Sequence, residues 1–437
     1  MSRIAFLTPL PPQHNGIADY SARVLTALAR RVEVDVYCAH RPVEPIPGVR
    51  IRRPTRRGFR RLSSYDAVVA QVGNSVAHDW IVEWIRRYPS TVVVHELVLH
   101  HLVGAMTLGR GKPAEYLRLL RDEAGDTAAK RGIRALSGLE DPLWETAADL
   151  YPLTGVAARH AKGLIVHSRF MAEAITDRNF GASIDVVPFP VLPVPRVAAK
   201  ASGARGQLTV GVFGFITSNK RLPVVLRALR LIESRVPEAR LLVVGESPSG
   251  LDVQELAREI GVKGDRVEVH GYADHDSYDT LVARVDLGIC LRHPTFGETS
   301  AATLDFMARG IPVVVSTGGW YDELPDDAVV RVAPDADEVL TLAATMEYLA
   351  LDPRRREAMG QASLEFVVRD LSPERTADAY IRAVLGEAGR RELEDVLALS
   401  LAQAVAAAAG VAEVETAPLS AAVGTAGREL NLLSVRP

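Results

Sequence analysis

Residues Arg292 to Leu324 read RHPTFGETSAATLDFMARGIPVVVSTGGWYDEL, and the order of chain breakers and apolar positions in them decides the fold. Pro294 and Gly297 interrupt the chain, Thr299 or Ser300 is placed to cap a helix, and Leu304, Met307 and Ala308 give that helix an apolar face. Gly310 stops it. Ile311 to Val315 is then a short apolar run of the kind a buried parallel strand needs. Loop, helix and buried strand in this order make the repeating unit of a parallel α/β sheet. A small-residue turn that opens a helix also gathers backbone N–H groups at the positive end of the helix dipole, so it suits an anion.

Working outward, the same rhythm recurs. Upstream lie a strand and its turn from Leu208, TVGVFGF, a helix over Leu222–Ser234, and apolar runs at Leu241–Val244, Val267–Gly271 and Leu287–Leu291. Nearer the N-terminus, Arg3–Leu7, Val32–Tyr37, Ala67–Val72, Thr91–His95, Gly163–His167 and Ile184–Val187 read as strands, with helical patterns between them. PFPVLPVP followed by AAKASGARG is the strongest linker signal in the chain. The expected organisation is a first α/β domain over 1–195 with a helical insertion at about 102–150, and a linker at 196–207. A second α/β domain follows over 208–385, and 386–437 is a C-terminal helix with a tail of flexible composition. A cleft between two such domains is a preferred ligand site.

Composition bounds the function. At 437 residues the chain exceeds one ordinary core. A formal net charge of −3 gives no global reason to expect nucleic acid. Two cysteines, Cys38 and Cys290, stand far apart in apolar surroundings, which fits a reducing compartment. The N-terminal apolar run is stopped by prolines too soon for a signal peptide, and no run approaches the roughly 20 residues of a membrane span. The expected location is cytoplasmic. One segment, Arg50 to Arg61, is rich in arginine and reads either as an ordinary solvated face or as a surface for anionic lipid or a charged glycan, which would bring the protein to the inner membrane face.

Taken together, the loops resemble those of the retaining, nucleotide-sugar-dependent glycosyltransferases of the GT-B fold, family four. The resemblance covers roughly residues 1 to 385 and is most specific at Gly211–Arg221 and Arg292–Leu324. It implies two Rossmann-like domains with parallel sheets facing a cleft, donor held mainly by the second and acceptor by the first, and no cofactor or catalytic metal. Gly214 and Lys220 hold the family's Gly-to-Lys spacing, which implies that Lys220 reaches the donor diphosphate. Phe215 stands where the family commonly has Arg, and Arg221 is the expected replacement cation. Glu298 resembles the acid that accepts bonds from sugar hydroxyls. The amides of Gly297, Thr299, Ser300 and Ala301 would meet sugar and phosphate. Asp305 falls at the ribose position, although its spacing to Arg309 equally suits a helix-surface pair. His95 resembles the histidine near the reacting bond, Gly16 the loop glycine that closes over phosphate or acceptor, and Gly271 a backbone contact to the base. Asp19 is read as a helix cap.

His95, His100 and His101 do not have a zinc-protease spacing, so no metal is assigned. The expected reaction is transfer of a hexose-like sugar from a nucleoside diphosphate to an acceptor hydroxyl of a glycan, lipid-linked or small molecule. His95, Lys220 and Glu298 are its expected catalytic residues. Two rivals remain open: a sugar-nucleotide epimerase or hydrolase on the same fold, and a non-catalytic sugar-nucleotide-binding protein.

Overall fold

The computed structural model describes residues 2–192, 207–247 and 250–386. All but one residue of the expected linker, and the expected C-terminal helix and tail from 387 onward, lie outside them.

Seven strands form the first sheet: β1 Arg3–Leu7, β2 Glu33–Tyr37, β3 Val49–Arg52, β4 Ala67–Val72, β5 Ser90–Val94, β6 Ala161–Val166 and β7 Ser183–Val186. Six form the second: β8 Gln207–Phe213, β9 Glu238–Val244, β10 Val267–His270, β11 Leu287–Cys290, β12 Val313–Ser316 and β13 Val329–Val332. The strand orders are β3-β2-β1-β4-β5-β6-β7 and β10-β9-β8-β11-β12-β13, and neighbouring strands pair in parallel throughout. The two Rossmann-like domains expected from the sequence are therefore present. Helices cover the sheet faces, which is why Ile4–Leu7, Val92–Val94 and Val313–Val315 are apolar without alternation and almost completely buried.

In each sheet the order reverses once, between β1 and β4 and between β8 and β11. Loops leaving the carboxyl ends of strands at such a reversal flank a crevice. The candidate residues are carried by those loops and by the helices that follow.

The helices needed below are α1 Gly16–Leu28, α2 Arg56–Arg61, α3 Asp79–Ile85, α4 His100–Thr107, α5 Pro113–Leu136, α6 Leu143–Thr146, α7 Gly155–Ala158 and α8 Arg169–Thr176 in the first domain. The second domain has α9 Leu222–Leu231, α10 Val253–Ile260, α11 His275–Val282, α12 Ala301–Ala308, α13 Glu338–Leu351 and α14 Pro353–Asp370. A last helix, α15, spans 373–386.

The expected helix at Ser21 begins earlier, at Gly16, because the Asn15 side chain accepts from the Ile17 amide at 2.8 Å. Asp19 lies in the first turn and is not the cap. The arginine-rich segment holds β3 and α2, an edge strand and a short helix that the charge pattern concealed. Arg50 and Arg52 bond the buried Asp35 carboxylate at 2.6 and 2.7 Å, and they hold it below the usual carboxylate range, with the Tyr65 hydroxyl, against its burial. Arg53, Arg56, Arg57, Arg60 and Arg61 face solvent.

The chain returns from the second domain onto the first through α15. Val191 N–H donates to the Leu371 carbonyl at 2.8 Å, and the Thr376 hydroxyl donates to the Pro188 carbonyl at 3.0 Å, so the outgoing and returning segments run together. Asp378 pairs with Arg31 at 2.6 Å, and the Tyr380 hydroxyl meets that of Tyr20 at 2.5 Å inside the first domain.

Candidate functional site

The second-domain wall starts where β8 ends. Gly214 adopts φ +83°, and a Cβ on it would come 3.0 Å from the Lys220 ammonium, so a bare backbone lets the lysine fold back over the turn. Lys220 is only 6% exposed and donates to the Phe213 carbonyl at 2.5 Å. No carboxylate pairs with it among the described residues; burial, then the Arg292 charge, holds its pKa well below the lysine range.

Arg221 is diverted from the expected role. At φ +59° it opens α9, and its Nε donates at 3.1 Å to Glu338, a carboxylate on α13 that is 1% exposed. A guanidinium held against a buried carboxylate supplies no free charge to a ligand. The cation beside Lys220 is instead Arg292, which directly follows Leu291 in the stretch after β11. The two loops are tied by a bond from His293 N–H to the Asn219 carbonyl at 2.8 Å. Phe215, 51% exposed, makes no such contribution.

Arg292 also fixes Glu298. Its Nε donates to one carboxylate oxygen at 2.9 Å, and the Phe296 amide donates to the other at 2.9 Å. Thr299 leads into Ser300, which caps α12 by accepting from the Thr303 amide at 3.3 Å. Gly297 sits at φ +80°, where a Cβ would lie 2.5 Å from Met171 Sδ and 2.8 Å from Leu97 Cβ. Its bare backbone lets the two domains pack closely here. Asp305 accepts from the Tyr278 hydroxyl at 3.1 Å and lies 3.6 Å from Arg23 and 3.8 Å from Arg309, so the helix-surface pair is formed. Gly271, after β10, lines a cavity of about 420 Å³ with Ile216, Gly245 and Glu246.

The first-domain wall is of another kind. His95 follows β5, and its Nε2 meets Gln71 Oε1 at 2.7 Å. Because Gln71 Nε2 donates to the Tyr380 hydroxyl at 3.3 Å, the amide oxygen must accept from His95, which places the imidazole proton on Nε2. Burial, then His167 and His78, keeps this imidazole neutral well below the usual histidine range. Tyr20 packs edge-on against it, with centroids 4.6 Å apart. Gly16 begins α1 with open space where a Cβ would be. His100 bonds the Tyr116 hydroxyl and His101 bonds Asn74, and no metal-holding group of His, Cys, Asp or Glu occurs among the described residues.

The walls touch at several points. Leu97 N–H donates to the Phe296 carbonyl at 2.7 Å, and His14 stacks on Tyr272 at 3.8 Å. Glu323 accepts from the Arg169 and Phe170 amides at 3.0 and 2.8 Å, capping α8 from the opposite domain. Sequence reasoning missed Arg292, Gln71, Tyr380 and the cap by Glu323. For Arg292 a signal existed: like His95, it comes just after an apolar strand, at the ligand-bearing edge.

Residues 207–352 match the family model for glycosyl transferases group 1. A GDP-mannose-dependent alpha-(1-6)-phosphatidylinositol monomannoside mannosyltransferase of Mycolicibacterium smegmatis is 24% identical over 409 residues, covering 87% of this chain and 97% of its own. Among solved structures, Anabaena Alr3699/HepE in complex with UDP and glucose superposes with a TM-score of 0.57 at 15% identity, over 87% of this chain and 98% of that one. Sucrose-phosphate synthase from Thermosynechococcus elongatus gives 0.58 at 17% identity, over 86% and 96%. These likenesses share the two-domain GT-B architecture described above, and the second domain is similar over residues 207–352 to the glycosyl transferases group 1 family.

Proposed function

We propose that the chain transfers a sugar from a nucleoside-diphosphate sugar to an acceptor hydroxyl, with retention at the anomeric carbon and without a metal ion. The observation that carries this reading is the buried Lys220, unpaired by any carboxylate among the described residues and set beside Arg292. Burial and Arg292 disfavour the protonated amine, and an anionic ligand such as a diphosphate would restore its charge by supplying the missing negative partner. Lys220, Arg292 and the amides at the start of α12 would take up the charge that grows on the departing diphosphate. Glu298, already oriented by Arg292 and the Phe296 amide, would accept from sugar hydroxyls, and the neutral His95 would hold the sugar from the other wall. Retention is supported by the resemblance of these loops to retaining enzymes.

The test is a panel of GDP-, UDP- and ADP-sugars, because the mycobacterial relative uses GDP-mannose while the Anabaena protein was solved with UDP. A bound donor at one hundred times its Kd raises stability by about 2.7 kcal/mol, which is easily read by melting. Turnover of that donor only when an acceptor is present supports transfer. Turnover without any acceptor makes the chain a hydrolase or epimerase, and binding without turnover makes it a binding protein.

The exposed arginines of α2 and its flank favour a lipid-linked acceptor at an anionic membrane surface. No helix of the described residues is long and apolar enough to cross a membrane, so contact would be peripheral. Equal co-sedimentation with anionic and neutral vesicles would remove that reading.

A further inference from the structure

Glu96 follows His95 on the loop after β5 and faces the seam between the domains. Its Oε1 accepts from the Asn74 amide at 2.8 Å. Its Oε2 has no hydrogen-bond partner among the described residues, and the residue is half-buried. The next residue, Leu97, bonds the Phe296 carbonyl of the second domain, two residues before Glu298. The carboxyl is thus fixed by one oxygen and free at the other, beside the histidine and opposite the acid already assigned to the sugar.

The charges around it are sorted in an instructive way. On its own loop stands His95, neutral. From the β4–α3 side come the Asn74 amide and His78, which lies across Gly73 from Glu96; burial pushes His78 down to about 4, so it too is uncharged. From α4, His101 bonds the Asn74 side chain at 3.1 Å. From the second domain comes Glu298, whose Arg292 partner is engaged with it at 2.9 Å, while Lys220 is bonded to the Phe213 carbonyl. No cation pairs with Glu96 among the described residues. Burial, with the Glu298 charge adding to it against the pull of the Asn74 amide, pushes the Glu96 carboxyl up to about 8. Two carboxyls share one seam, and only one of them, Glu298, has an arginine partner.

We propose that Glu96 is a sugar-binding residue that works as a neutral acid, donating a hydrogen bond through its free oxygen to a hydroxyl of the sugar held between the domains. This rests on the transfer reaction proposed above. A neutral carboxyl both donates and accepts, so it can take one hydroxyl while Glu298, paired with Arg292, accepts from another. Once ionised, Glu96 would lose its donor and set a second negative charge against Glu298 across the closing seam.

Glu96→Gln and Glu96→Ala test this with two readouts. The folded chain holds the Glu96 proton that the unfolded chain releases above about 4.5, so wild type bears a growing stability cost as pH rises to about 8 and a constant one beyond. The melting temperature of Glu96→Gln relative to wild type should therefore climb through that window and then level. In transfer assays kcat/KM of the wild type should fall above pH about 8, whereas Glu96→Gln, which keeps a donor at every pH, should lose that alkaline limb. Glu96→Ala should lose roughly tenfold throughout. An alkaline fall in Glu96→Gln identical to that of wild type, or equal rates for Gln and Ala, would overturn the proposal. A wild type that turns over no sugar nucleotide would strike the transfer reading instead, and the melting series reports the Glu96 proton without any turnover.

Discussion

The second domain meets the cleft with the buried basic side chains Lys220 and Arg292, next to the capped start of α12; the first meets it with His95, Gln71, Tyr20 and Glu96, groups whose burial disfavours charge or that carry none. One wall is arranged to stabilise negative charge, the other to position hydroxyls by donor and acceptor geometry. The division matches a substrate with an anionic leaving end and a neutral sugar end. It also explains why one wall tolerates few losses while the other offers graded ones: a missing charge in a dry site is not replaced by water, whereas a missing hydrogen bond partly is.

The largest expected effect breaks the charged wall. Lys220→Ala should lower the transfer rate by roughly 10²- to 10³-fold with the fold retained, read by initial rates at saturating donor. Next comes a test of which arginine serves the ligand. Arg292→Met should reduce transfer by roughly 10²-fold, since it removes a charge and releases Glu298. Arg221→Met should instead leave a stability deficit of about 1–3 kcal/mol, reduced from the fully buried case by the exposure of the arginine, because Glu338 loses its partner. If the two phenotypes are exchanged, the assignment of charges on this wall is reversed.

The neutral wall is tested by pH. Burial lowers His78 and His167 from 6.5 to about 4 and holds His95 well below its usual range, so the unfolded chain takes up protons there that the folded chain refuses. Stability should be fully present above about 6.5 and fall as pH drops from there toward 4, and transfer should show no histidine limb near neutrality. A rate limb near 6.5 that vanishes in His95→Gln would show a titrating, and so solvated, His95. The smallest effect belongs to the seam. Glu323→Ala removes the acceptor of the Arg169 and Phe170 amides, while Ser168 still caps α8 through the Met171 amide, and should lower stability by about 0.5–1.5 kcal/mol, with small-angle scattering reporting a more open pair of domains.

All strands but β3 and β13 were legible because a strand buried on both faces writes itself as a continuous apolar run, whereas β3 and β13 are edge strands that carry arginine. The Gly214 turn and the Ser300 cap were legible because their cause is local. What escaped was decided at long range. Gln71 meets Tyr380 across 309 residues, and Glu323 caps Arg169 across 154, so neither leaves a spacing to read. Arg221 misled because a cation beside a turn reads the same whether its partner is a ligand or a carboxylate on α13 more than one hundred residues away. The switch of β3 and α2 from loop to structure had a related source: arginines that neutralise Asp35 hide a strand under a charge pattern.

The return of α15 to the first domain has a practical consequence for anyone recombining parts of this molecule. A donor-specificity exchange cut once, in the segment between β7 and β8, would carry Tyr380 and Asp378 away with the second domain and present them to a foreign Tyr20 and Arg31. The first domain is a discontinuous unit, completed by residues that come last in the described chain. Chimeras should therefore be spliced at two joints, one beyond Val191 and one near Leu371, where the two crossing segments already bond to each other.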